Sequence, residues 1–311
     1  MIHTVTLNPA VDKTIVVDDL RVGAVNRATS VRQDPGGKGV NVSKTIRALG
    51  GESSAFALLG GPTGAFVTTS LEQMGIAVRA FAAPGATRTN TKLVDPTRGT
   101  FTDINEPGPT VTPELLDRAL AEFASALAPE DVVVLAGSLP AGAPAGTYAT
   151  WVTACLAAGA QVFLDADGEA MALGIQAGPS LVKPNDVELA RLVGRPLAGD
   201  AEVVAAAREL VAQGVAEVMV SLGGDGAVYV SPEGAWRLRQ PTVEVLSTVG
   251  AGDSVVASLA YAKAEGLPLA DALALSMAVG AATVSRPGTE PARLEDVSRL
   301  LPQVTVAPLP Y

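Results

Sequence analysis

The sequence predicts an α/β protein built on a mostly parallel sheet, with a small second β-sheet set apart from it. Three observations carry that expectation. From Thr112 onward, short apolar runs alternate with longer runs of helical spacing, the pattern of a sheet covered by helices. Five short runs, ending at Leu7, Ala136, Leu164, Val182 and Val220, lead directly into stretches holding Gly, Ser, Asn or Asp. Open parallel sheets bind ligands at the carboxyl ends of their strands. Two other stretches, 12–31 and 87–105, are polar and strand-like, which suits a sheet with one wet face.

Taken in order, residues 2–7 form a first strand, stopped by Asn8-Pro9-Ala10. Strand-like pieces at 13–17 and 27–31 follow, split by Gly23. Residues 34–39 read as a turn and 40–49 as a helix stopped by Gly50-Gly51. Strand 54–59, helix 64–74 and strand 78–81 come next, then a threonine-rich hairpin over 87–105 with Gly99 near its middle. Pro113 opens a helix to Leu127, with Thr112 as its N-cap, because proline fits the first helical position and threonine caps well. Strands at 131–136, 161–165, 180–183 and 217–222 alternate with helices at 147–158, 186–193 and 201–212. A hairpin over 227–230 and 235–238, an extended β-branched run at 242–246, two apolar helices and a segment at 294–301 complete the chain.

The 311 residues suffice for one large α/β domain with a small appendage, and an apolar share of 48 % supplies a sizeable core. A net charge of −10 argues against nucleic acid and anionic membranes as partners. Any anionic substrate must therefore meet a local cluster of Lys and Arg. Cys155 is the one cysteine, so no intrachain disulfide and no cysteine-based zinc site can form. His3 is the one histidine, which removes two-histidine mechanisms and disfavours a Ser-His-Asp triad. Early charges, Asp12 and Lys13 among them, do not suit a signal peptide, and Asp271 breaks the most apolar run. A cytoplasmic protein is expected.

Ser247-Thr248-Val249-Gly250-Ala251-Gly252-Asp253-Ser254 joins the extended run to a buried helix. Such a junction turns free backbone N–H groups and the positive end of the helix dipole toward one point, where an anion is favoured. A carboxylate there would repel the anion. Asp253 is therefore either an N-cap or a general base that takes a hydroxyl proton while the amides hold a transferring phosphoryl group. Gly36-Gly37-Lys38-Gly39 is not a Walker loop, since Gly39 stands where Ser or Thr is needed.

Together these residues resemble the ribokinase-like (PfkB) carbohydrate kinases over nearly the whole chain. Pro35-Gly36-Gly37-Lys38-Gly39-Val40-Asn41-Val42-Ser43 is similar to the family's first signature, and residues 247–254 to its second, about 210 residues later. Stretches 182–188 and 220–226 agree with it. Residues 6–12, 87–90 and 137–140 are similar to the branch that holds 1-phosphofructokinases and tagatose-6-phosphate kinases. The resemblance implies a three-layer α/β/α core over 1–10, 35–85 and 107–311, with a β-sheet lid from 11–34 and 86–106. It implies that Asp253 is the base, in a hole formed with Gly250, Ala251 and Gly252. It places the sugar against Asp12, Gly37, Lys38, Asn41 and Ser138. The phosphate already on that sugar would meet Arg88 and Lys38, with Arg27 as a further cation. ATP would lie along Lys183, Asn185, Ser221, Gly223, Gly226 and Thr248, and Mg²⁺ would be placed by Glu188 through water.

A lone few-stranded sheet is marginal in water, so the lid is expected to pair with a second copy in a homodimer. The implied reaction is transfer from ATP to fructose 1-phosphate. Within the family, tagatose-6-phosphate kinase and 6-phosphofructokinase are alternatives. A catalytically silent regulator on the same fold is another, although the intact Gly-Ala-Gly-Asp argues against it.

Overall fold

The computed structural model describes residues 1–310. Fourteen strands occur among them: β1 (Ile2–Thr6), β2 (Ala10–Val16), β3 (Ser30–Gly36), β4 (Ser53–Leu59), β5 (Ala77–Ala82), β6 (Arg88–Asp95), β7 (Thr100–Asn105), β8 (Val132–Ala136), β9 (Gln161–Asp165), β10 (Leu181–Val182), β11 (Glu217–Ser221), β12 (Ala227–Ser231), β13 (Gly234–Arg239) and β14 (Thr305–Leu309). Ten of them form one sheet in the order β14-β13-β12-β11-β10-β9-β8-β1-β4-β5. From β11 to β5 every pairing is parallel, while β12, β13 and β14 add on antiparallel.

Side chains alternate across this sheet, so neighbouring residues of one strand enter different layers. Val133 and Leu135 pack with Phe123, Tyr148, Trp151 and Leu189, from helices on one side. Val132, Val134 and Ala136 pack with Ile46, Val256, Ala260 and Met277, from helices on the other. That is why the β8 sequence is apolar without a break. Thr112 caps the helix Pro113–Ala124, its side chain accepting from the Leu115 N–H.

The second sheet has the order β3-β2-β6-β7. β2 pairs antiparallel with β3 and parallel with β6, and β6 with β7 forms the hairpin around Gly99.

The structure departs from the expected elements at several points, and one is a helix over Gly168–Ile175 that the sequence did not lead us to expect. The stretch at 34–39 is not a turn: β3 runs through Asp34, Pro35 and Gly36 straight to the helix Lys38–Ala48. Pro35 is tolerated because β3 is an edge strand, where a missing N–H breaks no ladder. Residues 242–246 join no sheet. The place beside β13 is taken by β14, a strand the sequence reading did not anticipate, and Val245 and Leu246 stay exposed. The buried helix expected after residues 247–254 begins within them, at Ala251.

Candidate active site

The helix Ala251–Ala264 starts from Gly250, which sits in the left-handed region at φ 80° and offers no side-chain cap. Glycine adopts that conformation without a Cβ penalty. The N–H groups of the first turn have no intrahelical acceptor. The Ala251 N–H reaches only the Thr248 carbonyl, at 3.4 Å. Asp253 is the third helical residue and not the N-cap. Its Oδ2 accepts from Asn41 Nδ2 at 2.8 Å. Burial, reinforced by Asp165, pushes its pKa up to about 6, against the pull of the Asn41 bond, Lys38 and Lys183.

Asp253 lies at one wall of a cavity of about 450 Å³ between the two sheets. Asp12, Gly37, Lys38, Asn41, Arg88, Ser138 and Gly250, all named from the sequence, line the same cavity. β2 and β6 bring Asp12 beside Asn90, whose Nδ2 donates to Asp12 Oδ1 at 3.1 Å. A Cβ on Gly36 would run into the Asp12 carboxylate, so the first signature needs a glycine there for close approach. Burial raises the Asp12 pKa, and the Asn90 bond, Lys44 and Arg88 oppose it. Lys44 is itself buried, with its Nζ 3.4 Å from the Pro35 carbonyl and from Thr289 Oγ1.

The cavity cations differ in how they are held. Arg32 is paired with Asp34 and Glu290, and Lys92 with Asp103. Lys38 Nζ is 3.3 Å from Asp165 and 3.1 Å from Asp167, and these carboxylates drive its pKa up despite burial. Arg88 forms no salt bridge among the described residues, and the Asp12 and Glu106 carboxylates act on it only from a distance. Its guanidinium donates to the Glu106 carbonyl at 3.1 Å and the Asn8 carbonyl at 3.2 Å, and its Nε is buried without a partner. Arg88 and Lys13, which also lines the cavity and forms no salt bridge among the described residues, thus carry the charges open to an anionic ligand.

The remaining sequence candidates lie elsewhere. Arg27 sits exposed on the connection between β2 and β3 and does not line the cavity. Lys183 is buried, 3.7 Å from Asp165, and a Cβ on Gly252 would stand 3.0 Å from its Nζ. Its charge therefore lies against the helix N-terminus. Asn185 and Ser221 are bridged to each other at the ends of neighbouring strands, and Gly223 and Gly226 bound the short turn after Ser221. Thr248 lines a separate groove along the small sheet. Glu188 and Asn185 form a capping box: Asn185 Oδ1 accepts from the Glu188 N–H at 2.7 Å, and Glu188 Oε2 accepts from the Asn185 N–H at 2.9 Å. Sequence reasoning assigned no role to Asn8, Asn90, Asp165, Asp167 or Lys44. Asp165 carried a signal, being a polar residue at a strand end.

Among the described residues no group of three His, Cys, Asp or Glu could hold a metal, and no helix is long and apolar enough to cross a membrane. The pfkB family carbohydrate kinases match residues 5–296. The chain is 39 % identical over 311 residues to a 1-phosphofructokinase of Bacillus subtilis, covering 99 % of this chain and 100 % of that protein. It is 41 % identical over 310 residues to a 1-phosphofructokinase of Rhodobacter capsulatus, covering 99 % and 98 %. Its fold matches phosphofructokinase-2 from Escherichia coli, in complex with substrates and products, at a TM-score of 0.92 with 30 % identity over 97 % of this chain and 98 % of that one.

Proposed function

Because the chain belongs to the pfkB family of carbohydrate kinases and is a phosphotransferase with an alcohol acceptor, we propose that it phosphorylates fructose 1-phosphate on its 6-hydroxyl with ATP. One observation carries this reading: a single cavity holds a buried carboxylate at a helix N-terminus and an arginine that no salt bridge ties down. A sugar that enters with one phosphate and leaves with two fits anion sites at both ends. The similarity to 1-phosphofructokinases over the full chain supports the choice of fructose 1-phosphate.

Asp253 takes the proton of the acceptor hydroxyl. With a pKa near 6 it is ionised at neutral pH yet more basic than an exposed carboxylate. As the phosphoryl group passes over, its oxygens meet the first-turn N–H groups of Ala251, Gly252 and Asp253, with Lys183 behind them. Asp12 accepts from sugar hydroxyls. Arg88 and Lys38 hold the resident phosphate, the planar guanidinium binding two oxygens at once. Lys183, Asn185, Ser221, Gly223, Gly226 and Thr248 follow the nucleotide.

Magnesium bound mainly by nucleotide phosphates and water needs no all-protein cage. The donor set here fits that mode: the capping box uses only one oxygen of Glu188, leaving the other to hold the ion through water. Bound there, magnesium would neutralise phosphate charge. The sheet from 11–34 and 86–106 acts as a lid and pairs with that of a second copy, and the enzyme works in the cytoplasm.

The test compares kcat/KM for fructose 1-phosphate, fructose 6-phosphate and tagatose 6-phosphate under identical conditions. Preference for fructose 1-phosphate is expected. A preference for tagatose 6-phosphate by about tenfold or more, which is about 1.4 kcal/mol in the barrier, sinks the substrate assignment and leaves the family intact.

A further inference from the structure

Two asparagines in the cavity share an unusual arrangement. Asn41 Nδ2 donates to Asp253 Oδ2 at 2.8 Å, and Asn90 Nδ2 donates to Asp12 Oδ1 at 3.1 Å. The Oδ1 atom of each is buried and has no hydrogen-bond partner. Turning either amide over would set its oxygen against a carboxylate oxygen, so the neighbouring charges fix both orientations. Each amide is therefore locked with its donor on a carboxylate and its acceptor unsatisfied. A buried acceptor without a partner costs free energy that a ligand hydroxyl would recover.

Asn41 belongs to the glycine-rich signature already assigned to the sugar. Asn90 does not, and it comes from the other sheet. It sits on β6 between Asp12 of β2 and Asn105 of β7, each a direct cross-strand partner. From this we propose that Asn90 is a specificity-determining residue. Its Oδ1 accepts from one ring or chain hydroxyl of the sugar, beside the hydroxyl that Asp12 takes. The inference rests on the sugar-phosphate reading and adds which hydroxyl geometry the site accepts. Two acceptors fixed side by side demand two hydroxyls on one face of the substrate. Inverting one of them leaves Asn90 Oδ1 buried and unpaired, and such sites reject an analogue more strongly than apolar pockets do.

The test uses Asn90→Ala and, as a gentler change, Asn90→Thr, which suits a strand. Binding by calorimetry and turnover with ATP are measured for the 1-phosphates of fructose, tagatose, allulose and sorbose. Relative to D-fructose, D-tagatose, D-allulose and L-sorbose invert the fourth, third and fifth carbon respectively. The wild-type protein should bind fructose 1-phosphate better than its epimers. In both variants discrimination against one epimer should fall by about tenfold, as one lost hydrogen bond allows. Discrimination against the other two should hold within about twofold, and ATP affinity should not change. Equal weakening toward all four sugars, or no change toward any, overturns the proposal, because a role confined to supporting Asp12 or the sheet would act that way. Selective loss in binding without turnover of any sugar would keep this inference and sink the kinase reaction. A wild-type protein that binds none of the four overturns both.

Discussion

Replacing Asp253 by asparagine should stabilise the protein and nearly abolish its activity. The carboxylate is 7 % exposed, and burial together with Asp165 displaces its pKa from 3.8 to about 6. At about 1.36 kcal/mol per unit, keeping the ion in the folded state above that pH costs on the order of 3 kcal/mol. The asparagine amide carries no charge, and its oxygen can still accept from Asn41 Nδ2. The cost then disappears while the geometry stays. Between the two pKa values the folded state holds a proton that the unfolded state has released. The favourable contribution of the protonated group is therefore complete below about pH 4 and is lost as pH rises through about 6. Urea unfolding should find Asp253→Asn more stable by about 3 kcal/mol near pH 8, with the gap closing toward about pH 4. Turnover with ATP and fructose 1-phosphate should fall by roughly 10²–10⁴-fold, the usual contribution of a positioned base. Equal stabilities at the higher pH would show that the carboxylate is not strained. Near-normal turnover would remove it from the chemistry.

Three further outcomes follow from the same site. Arg88→Ala should weaken use of the sugar phosphate by about 1.5–3 kcal/mol, the range for hydrogen bonds to charged groups, and spare ATP; a matching loss in ATP affinity would contradict a sugar-phosphate role. Lys38→Met removes a cation that lowers the Asp253 pKa and leaves Asp165 and Asp167 without it. The acid limb of the kcat/KM profile should therefore move to higher pH, and an unmoved or lowered limb would refute that electrostatic account. Sedimentation at micromolar concentration should find a dimer, since Val22, Val25, Val31, Phe101 and Ile104 of the small-sheet region are exposed; a fully active monomer would count against pairing through the lids.

Much of the core was legible in the sequence because its signals are local. The unbroken apolar strand at Val132–Ala136, the Thr112-Pro113 helix start and the paired glycines around Ala251 each state their conformation within a few residues. The placing of Asp253 in the first turn of a buried helix was legible in the same local way. Tertiary structure decided what depends on who else claims a place. Residues 242–246 are β-branched and extended, yet β14 holds the sheet edge they would have joined. Arg27 and Arg88 are the same residue type, but the path of the chain leaves the first exposed on a connection and carries the second into the cavity. Asn90 and Asp12 are 78 residues apart in the chain and meet because β2 lies beside β6. Local propensity depends on a few neighbouring dihedrals, whereas pKa, ion pairing and an unsatisfied amide oxygen depend on groups brought together across the whole fold.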